Sequence, residues 1–397
     1  MVYNCVFVKF GEYLESREDP HNPLLEAPPD VLVKTNLDLV AMVGRARAVK
    51  RVEIDVFCLG DPFPWWRDII QRMRAVASKW RVVELRVITY SQSYESIHSD
   101  RAVDQFADDV AETCDALTTL MPDVNHLECD IHYSNAIAQL LYGRLASLYA
   151  KQLLWFDSED SIITPPGCQF PGLKWLRLKH RSLAGHQFPQ IASGGLVNLR
   201  LFGGLPNQSW MPFSTDDDSQ VIEFTNLKRL HVVRSDPRPY DDGTVHYRDG
   251  HPWELHFPSL ESLSISTDEE ICPLLKYAVL PPRMESISID IVLAAYKDIE
   301  DVVLPETKHL SLRINSGYGG DMSGLSVINR IVEGAHGSET VEMTIEDIDY
   351  LVPEITCTAL TQLEVRAMAC VDDMLVFIDR LPNLIELTFF TKCLGDP

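Results

Sequence analysis

One short pattern returns along most of this chain: an apolar residue, two of any kind, a second apolar residue, one of any kind, and a third. It is clearest at Leu173-x-x-Leu176-x-Leu178, Leu196-x-x-Leu199-x-Leu201, Leu227-x-x-Leu230-x-Val232 and Leu260-x-x-Leu263-x-Ile265. It continues from Met284, Thr307, Ser338, Leu360 and Leu384. Weaker copies precede these at Val49-x-x-Val52-x-Ile54, Val82-x-x-Leu85-x-Val87, Val124-x-x-Leu127-x-Cys129 and Ala150-x-x-Leu153-x-Trp155. One copy means little, because leucine is common. Recurrence at intervals of about 22–42 residues makes repetition the strongest constraint on the fold.

The second and third apolar positions alternate, which turns one face of a short strand inward. A single such strand cannot bury that face. Stacked copies can, since each lies against its neighbours. The pattern therefore predicts an α/β leucine-rich-repeat solenoid over residues 48–397, with a curved parallel sheet and outer helices. Residues 1–47 fit the repeat least and are expected to cap the array, with a loop over 24–29 and a helix over 37–48. Helical spacing of apolar residues predicts helices over 65–79, 100–120 and 135–150. Shorter helical patterns lie over 271–279, 325–335 and 371–380. Alternating strands and helices require parallel strands joined by crossovers. The phrase Phe-Pro-x-Leu at Phe170 and Phe257 punctuates the units, because proline cannot continue a helix.

The rest of the sequence narrows the function by exclusion. The formal net charge is -23, which disfavours nucleic acid and anionic lipid as general partners. The 9 cysteines form no CxxC pair, so reduced buried thiols are expected, as in the cytoplasm or nucleus. We read neither a signal peptide nor a membrane-spanning run. Trp65-Trp66 is expected to send one ring into the core and lay the other over a helix start. Ser323 in Gly-Asp-Met-Ser-Gly misses the spacing of a nucleophile elbow by one residue. His246, His251 and His256 have no acidic or cysteine ligands at fixed spacing, and Asp216-Asp217-Asp218 lacks the calcium-loop glycine and distal glutamate. No catalytic residue, metal or cofactor is expected.

A binding surface is expected instead. Residues between the apolar positions face outward in rows across successive strands. The central copies supply Trp175, Arg177 and Lys179, then Arg200 and Phe202, then Arg229 and His231. The inserts over 203–220 and 234–256 add Trp210 and Trp253. This basic and aromatic group is expected to recognise an acidic or phosphorylated segment of a protein partner. The N-terminal copies carry Glu53, Asp55, Glu84, Glu128 and Asp130 instead, and those near residues 262–290 carry serines.

The units at Phe170-Pro-Gly-Leu-Lys-Trp-Leu-Arg-Leu and Phe257-Pro-Ser-Leu-Glu-Ser-Leu-Ser-Ile resemble fungal leucine-rich-repeat proteins of the F-box type, over about residues 45–397. The resemblance implies a ribonuclease-inhibitor-like fold and substrate recognition for an SCF-type ubiquitin ligase. The family's Asn or Cys three residues past the last apolar position is met only by Asn315. No F-box is legible in residues 1–47, so a Skp1-type adaptor is expected only if that motif lies upstream. The alternative is a stand-alone scaffold or regulator without a ubiquitin role. An enzyme or enzyme activator fits least.

Overall fold

Most of the alternating apolar triplets become strands with their last two apolar residues inward. Val52, Ile54, Leu85, Val87, Leu127 and Cys129 are all at most 1% exposed. The computed structural model describes residues 5–13, 30–35, 37, 49–58, 63–77, 80–91, 106–132, 136–158, 168–179, 195–202, 221–233, 254–266, 278–292, 304–315, 338–348, 360–367 and 378–390. The chain divides into two units, Met1–Ile191 with Gln208–Phe213, and Ala192–Asn207 with Ser214–Pro397.

The first unit holds β1 (Cys5–Tyr13), β2 (Asp30–Thr35), β3 (Arg51–Cys58), β4 (Glu84–Ser91), β5 (His126–His132), β6 (Trp155–Ser158) and β7 (Trp175–Lys179). Their order in the sheet is β7-β6-β5-β4-β3-β1-β2. All pairs are parallel except β1 with β2. Among the described residues this unit carries the helices α1 (Phe63–Val76), α2 (Ala107–Leu120) and α3 (Ala136–Tyr149). Phe63, Trp66, Ile69, Ile70 and Met73 give α1 one buried stripe at helical spacing. Trp66 is 1% exposed and Trp65 half-buried, so the two rings divide as expected. Asp108 and Asp109 favour the start of α2 through the helix dipole. The helices lie on the apolar side of the sheet. There the Tyr142 hydroxyl of α3 is 2.6 Å from Thr89 Oγ1 of β4.

The second unit holds β8 (Asn198–Phe202), β10 (Arg229–Val233), β12 (Ser262–Ser266), β14 (Arg283–Val292), β15 (Glu306–Asn315), β16 (Thr340–Ile348), β17 (Gln362–Ala367) and β18 (Glu386–Phe390), joined in that order and parallel throughout. A second, three-stranded parallel sheet is formed by β9 (Val221–Glu223), β11 (Glu254–His256) and β13 (Ala278–Val279). These are the segments that precede β10, β12 and β14. The chain is thus an α/β protein built on long series of parallel strands. No helix among the described residues is long and apolar enough to cross a membrane.

The repetition extends to the backbone bonds between copies. Two successive N–H groups at the start of a strand donate to one carbonyl of the preceding copy. Val83 and Glu84 use Lys50 O, Lys174 and Trp175 use Leu154 O, Glu261 and Ser262 use Lys228 O, and Glu285 and Ser286 use Glu261 O. The Phe-x-x-Leu turns close the same way at Leu173 to Phe170 O, Leu227 to Phe224 O and Leu260 to Phe257 O. Phe224 and Phe257 stack with ring centroids 5.0 Å apart, so the turn aromatics form a buried column of their own.

Three expectations are corrected. Trp155 does not point into the core. Its copy reads Leu153-x-x-Phe156-x-Ser158, with all three residues at most 3% exposed and Phe156 opposite Leu127. Trp155 is apolar enough to mimic the third position, but strand pairing puts it outward. Residues 1–47 contribute two strands that no repeat predicted; of the expected helix over 37–48 only Leu37 is described, helical and 3% exposed, and the loop over 24–29 lies outside the described residues. The helical pattern over 271–279 ends in strand β13, which pairs with β11. The patterns over 325–335 and 371–377 lie outside the described residues.

Candidate functional site

In the second unit the outward positions of five successive strands line up in register. The first row runs Asn198, Arg229, Ser262, Ser286 and His309. The second runs Arg200, His231, Ser264, Ser288 and Ser311. Between them the inward residues Leu199, Leu230, Leu263, Ile287 and Leu310 are at most 3% exposed. Every one of the ten outward side chains can donate a hydrogen bond and none is a carboxylate, in a chain with 58 acidic residues against 35 basic ones. Among the described residues, carboxylates border the grid at Glu261 and Glu285, paired with Lys228 and Lys308, at Asp290 in the next row and at Glu342 on β16. Ser286 donates to Ser262 Oγ at 2.8 Å, so neighbouring rungs are in direct contact. His231 is half-buried. Burial first, and the Arg200 charge second, hold its pKa below the ordinary histidine value. It is therefore mostly neutral at pH 7.

The expected recognition group is distributed over both units. Arg200, Arg229 and His231 come together on β8 and β10, with Arg200 opposite His231 and Arg229 opposite Asn198. Phe202 belongs to β8, with its side chain outside the described residues. Trp175, Arg177 and Lys179 lie on β7 of the first unit. Arg177 Nη1 is 3.2 Å from Asp157 Oδ2, and Asp157 is 7% exposed, so this guanidinium already faces a carboxylate. Trp175 stacks on Trp155 at 3.6 Å between ring centroids. The side chain of Lys179, and Trp210 and Trp253 altogether, lie outside the described residues. So do Ser323, the histidines at 246 and 251, and the aspartates at 216–218, whereas His256 is the half-buried last residue of β11.

The polar face of the first unit has a different character, with opposite charges alternating from strand to strand. Arg51 reaches Glu84 at 2.7 Å, and Arg86 reaches Glu128 at 2.9 Å and Glu53 at 3.8 Å. Lys9 bonds the buried Asp55 at 2.6 Å. Along one row His126 meets Trp155, with ring centroids 5.0 Å apart. Sequence reasoning passed over His126, because no repeat position marks it. The available signal was His126-x-Glu128, two polar residues two apart on a predicted strand, which must share a face.

No protein family, no curated protein and no solved structure matches the chain.

Proposed function

We propose that the chain is a leucine-rich-repeat interaction module, and that the ten-position grid on β8, β10, β12, β14 and β15 reads an acidic or phosphorylated segment of a protein partner. One observation carries this reading: a carboxylate-free surface on which every side chain can donate a hydrogen bond, on a chain of net charge -23. Arg200 and Arg229 supply charge and bidentate geometry for carboxylate or phosphate oxygens. The serines supply further donors at low conformational cost. At about 4.8 Å per strand, five strands span about 19 Å, the length of about six extended residues. A short linear segment laid across the strands fits that span.

This reading is of a binding protein rather than an enzyme. Fluorescence anisotropy with six-residue peptides that differ only in a central serine, phosphoserine or lysine tests it. The phosphoserine peptide is expected to bind best, and Arg200→Glu with Arg229→Glu to weaken it at least tenfold. Binding should also fade as salt rises. Equal binding of the lysine peptide, or unchanged binding to the double variant, removes the proposal. The ubiquitin-ligase role implied by the F-box resemblance is a separate proposal. It is tested by co-purification with a Skp1-type adaptor. If none co-purifies, the module acts as a stand-alone scaffold or regulator.

A further inference from the structure

We propose that Glu84, His126 and Glu128 form a binding site for a zinc-class divalent metal ion on the polar face of the first unit. Strand register creates the group. Glu84 of β4 stands directly opposite His126 of β5, and Glu128 is two residues further along the same strand, on the same face. One ligand atom from each of the three lies within 4.8 Å of the others, and all three side chains are half-buried. Zinc bonds of about 2.0–2.2 Å place tetrahedral ligands about 3.3–3.6 Å apart. Closing the group therefore takes about an ångström of movement, within the reach of two flexible glutamates.

Each ligand is already oriented by a neighbour. The His126 ring rests against Trp155 at 5.0 Å and 32°. The imidazole offers a ring nitrogen to the same space that the two carboxylates face. Arg51 Nη1 lies 2.7 Å from Glu84 Oε1 and Arg86 Nε 2.9 Å from Glu128 Oε1, each an ion pair. A carboxylate can bond a guanidinium through one oxygen and a metal through the other, the arrangement that commonly steadies metal ligands from behind.

The two guanidiniums also repel a cation, and the charge balance decides which effect dominates. Glu53 sits between them, 3.3 Å from Arg51 and 3.8 Å from Arg86, and accepts part of their charge. Three carboxylates, Glu53, Glu84 and Glu128, against two guanidiniums leave the group with an excess of negative charge, which favours a cation. One imidazole with two carboxylates selects zinc-class ions over magnesium or calcium, which prefer oxygen ligands alone. Three protein ligands leave a fourth position for water or for a partner's side chain.

The site uses residues of the first unit and none of the serine and arginine grid, so either proposal can fail without the other. The test is calorimetric titration of the full-length chain, stripped of metal with a chelator, with zinc chloride and then magnesium chloride. One zinc per chain is expected, bound far more tightly than magnesium. His126→Gln and Glu128→Gln should each weaken zinc at least tenfold with an unchanged circular dichroism spectrum. Should His126→Gln fail to fold, Glu84→Gln carries the same expectation. Replacing His246 and His251 together with Asn should leave zinc binding intact. Cobalt should give a visible absorption band that His126→Gln abolishes. Zinc binding that survives in the ligand variants, or disappears with His246 and His251, overturns the proposal.

Discussion

Leu263 and Ser264 are neighbours in the chain and meet opposite environments. Leu263 is fully buried between Leu230 and Ile287, while Ser264 lies half-exposed between His231 and Ser288. Leu263→Asp should therefore cost about 3 kcal/mol or more, since it leaves a cavity and strands a carboxylate in the core. Ser264→Asp should stay within about 0.5 kcal/mol. Equal shifts in urea midpoint would contradict the register of β12. His231 makes a pH prediction. Its folded pKa lies below the ordinary value of 6.5, so the unfolded chain takes up the proton first as pH falls. Its contribution to stability is intact above pH 6.5 and is lost as pH falls from there toward the folded pKa. Wild type should lose more melting temperature between pH 7.5 and pH 5 than His231→Gln; a difference that stays constant with pH would refute this. At this scale the inward residues were legible, because alternation is a local signal. Trp155 was not, because an aromatic side chain satisfies the pattern from either face.

Among elements, the strand is the reliable unit and the segment before it the variable one. In the first unit the three described helices fill that place, and their apolar spacing announced them. In the second, β9, β11 and β13 do so as two- or three-residue strands, too short for any period to show. β1 and β2 escaped notice for a related reason: Lys9, Gly11 and Glu12 interrupt the first, and neither lies in a copy of the repeat. Each element nevertheless depends on its neighbour for burial. Leu360 and Leu363 are at most 2% exposed, and β18 pairs directly with β17. Deleting residues 381–397 should uncover both leucines, an upper cost of about 3–6 kcal/mol at about 1.5–3 kcal/mol each. Differential scanning calorimetry should record a lower melting temperature or aggregation. An unchanged, soluble transition would mean that β18 does not shield β17.

Across the whole molecule, charge is the dominant property and it is unevenly placed. With a net charge of -23 and a sequence pI of about 4.8, repulsion between copies keeps the chain dispersed at neutral pH. Solubility measured by light scattering should be lowest near pH 4.8 and recover on either side; flat solubility would show that net charge does not control it. The same acidity predicts no retention on immobilised DNA at physiological salt. The sequence by itself determined the parallel repeat, the inward residues of nearly every copy, three helices and the excess of acid. These are local or additive properties, read from spacing and composition. Only the tertiary structure decided which charges meet. It paired Arg177 with Asp157, set Glu84 beside His126, and aligned Arg200, His231 and three serines in one row. Those contacts join residues 20 to 42 positions apart through strand register, which hydrogen bonding between copies of unequal length fixes and no local period encodes.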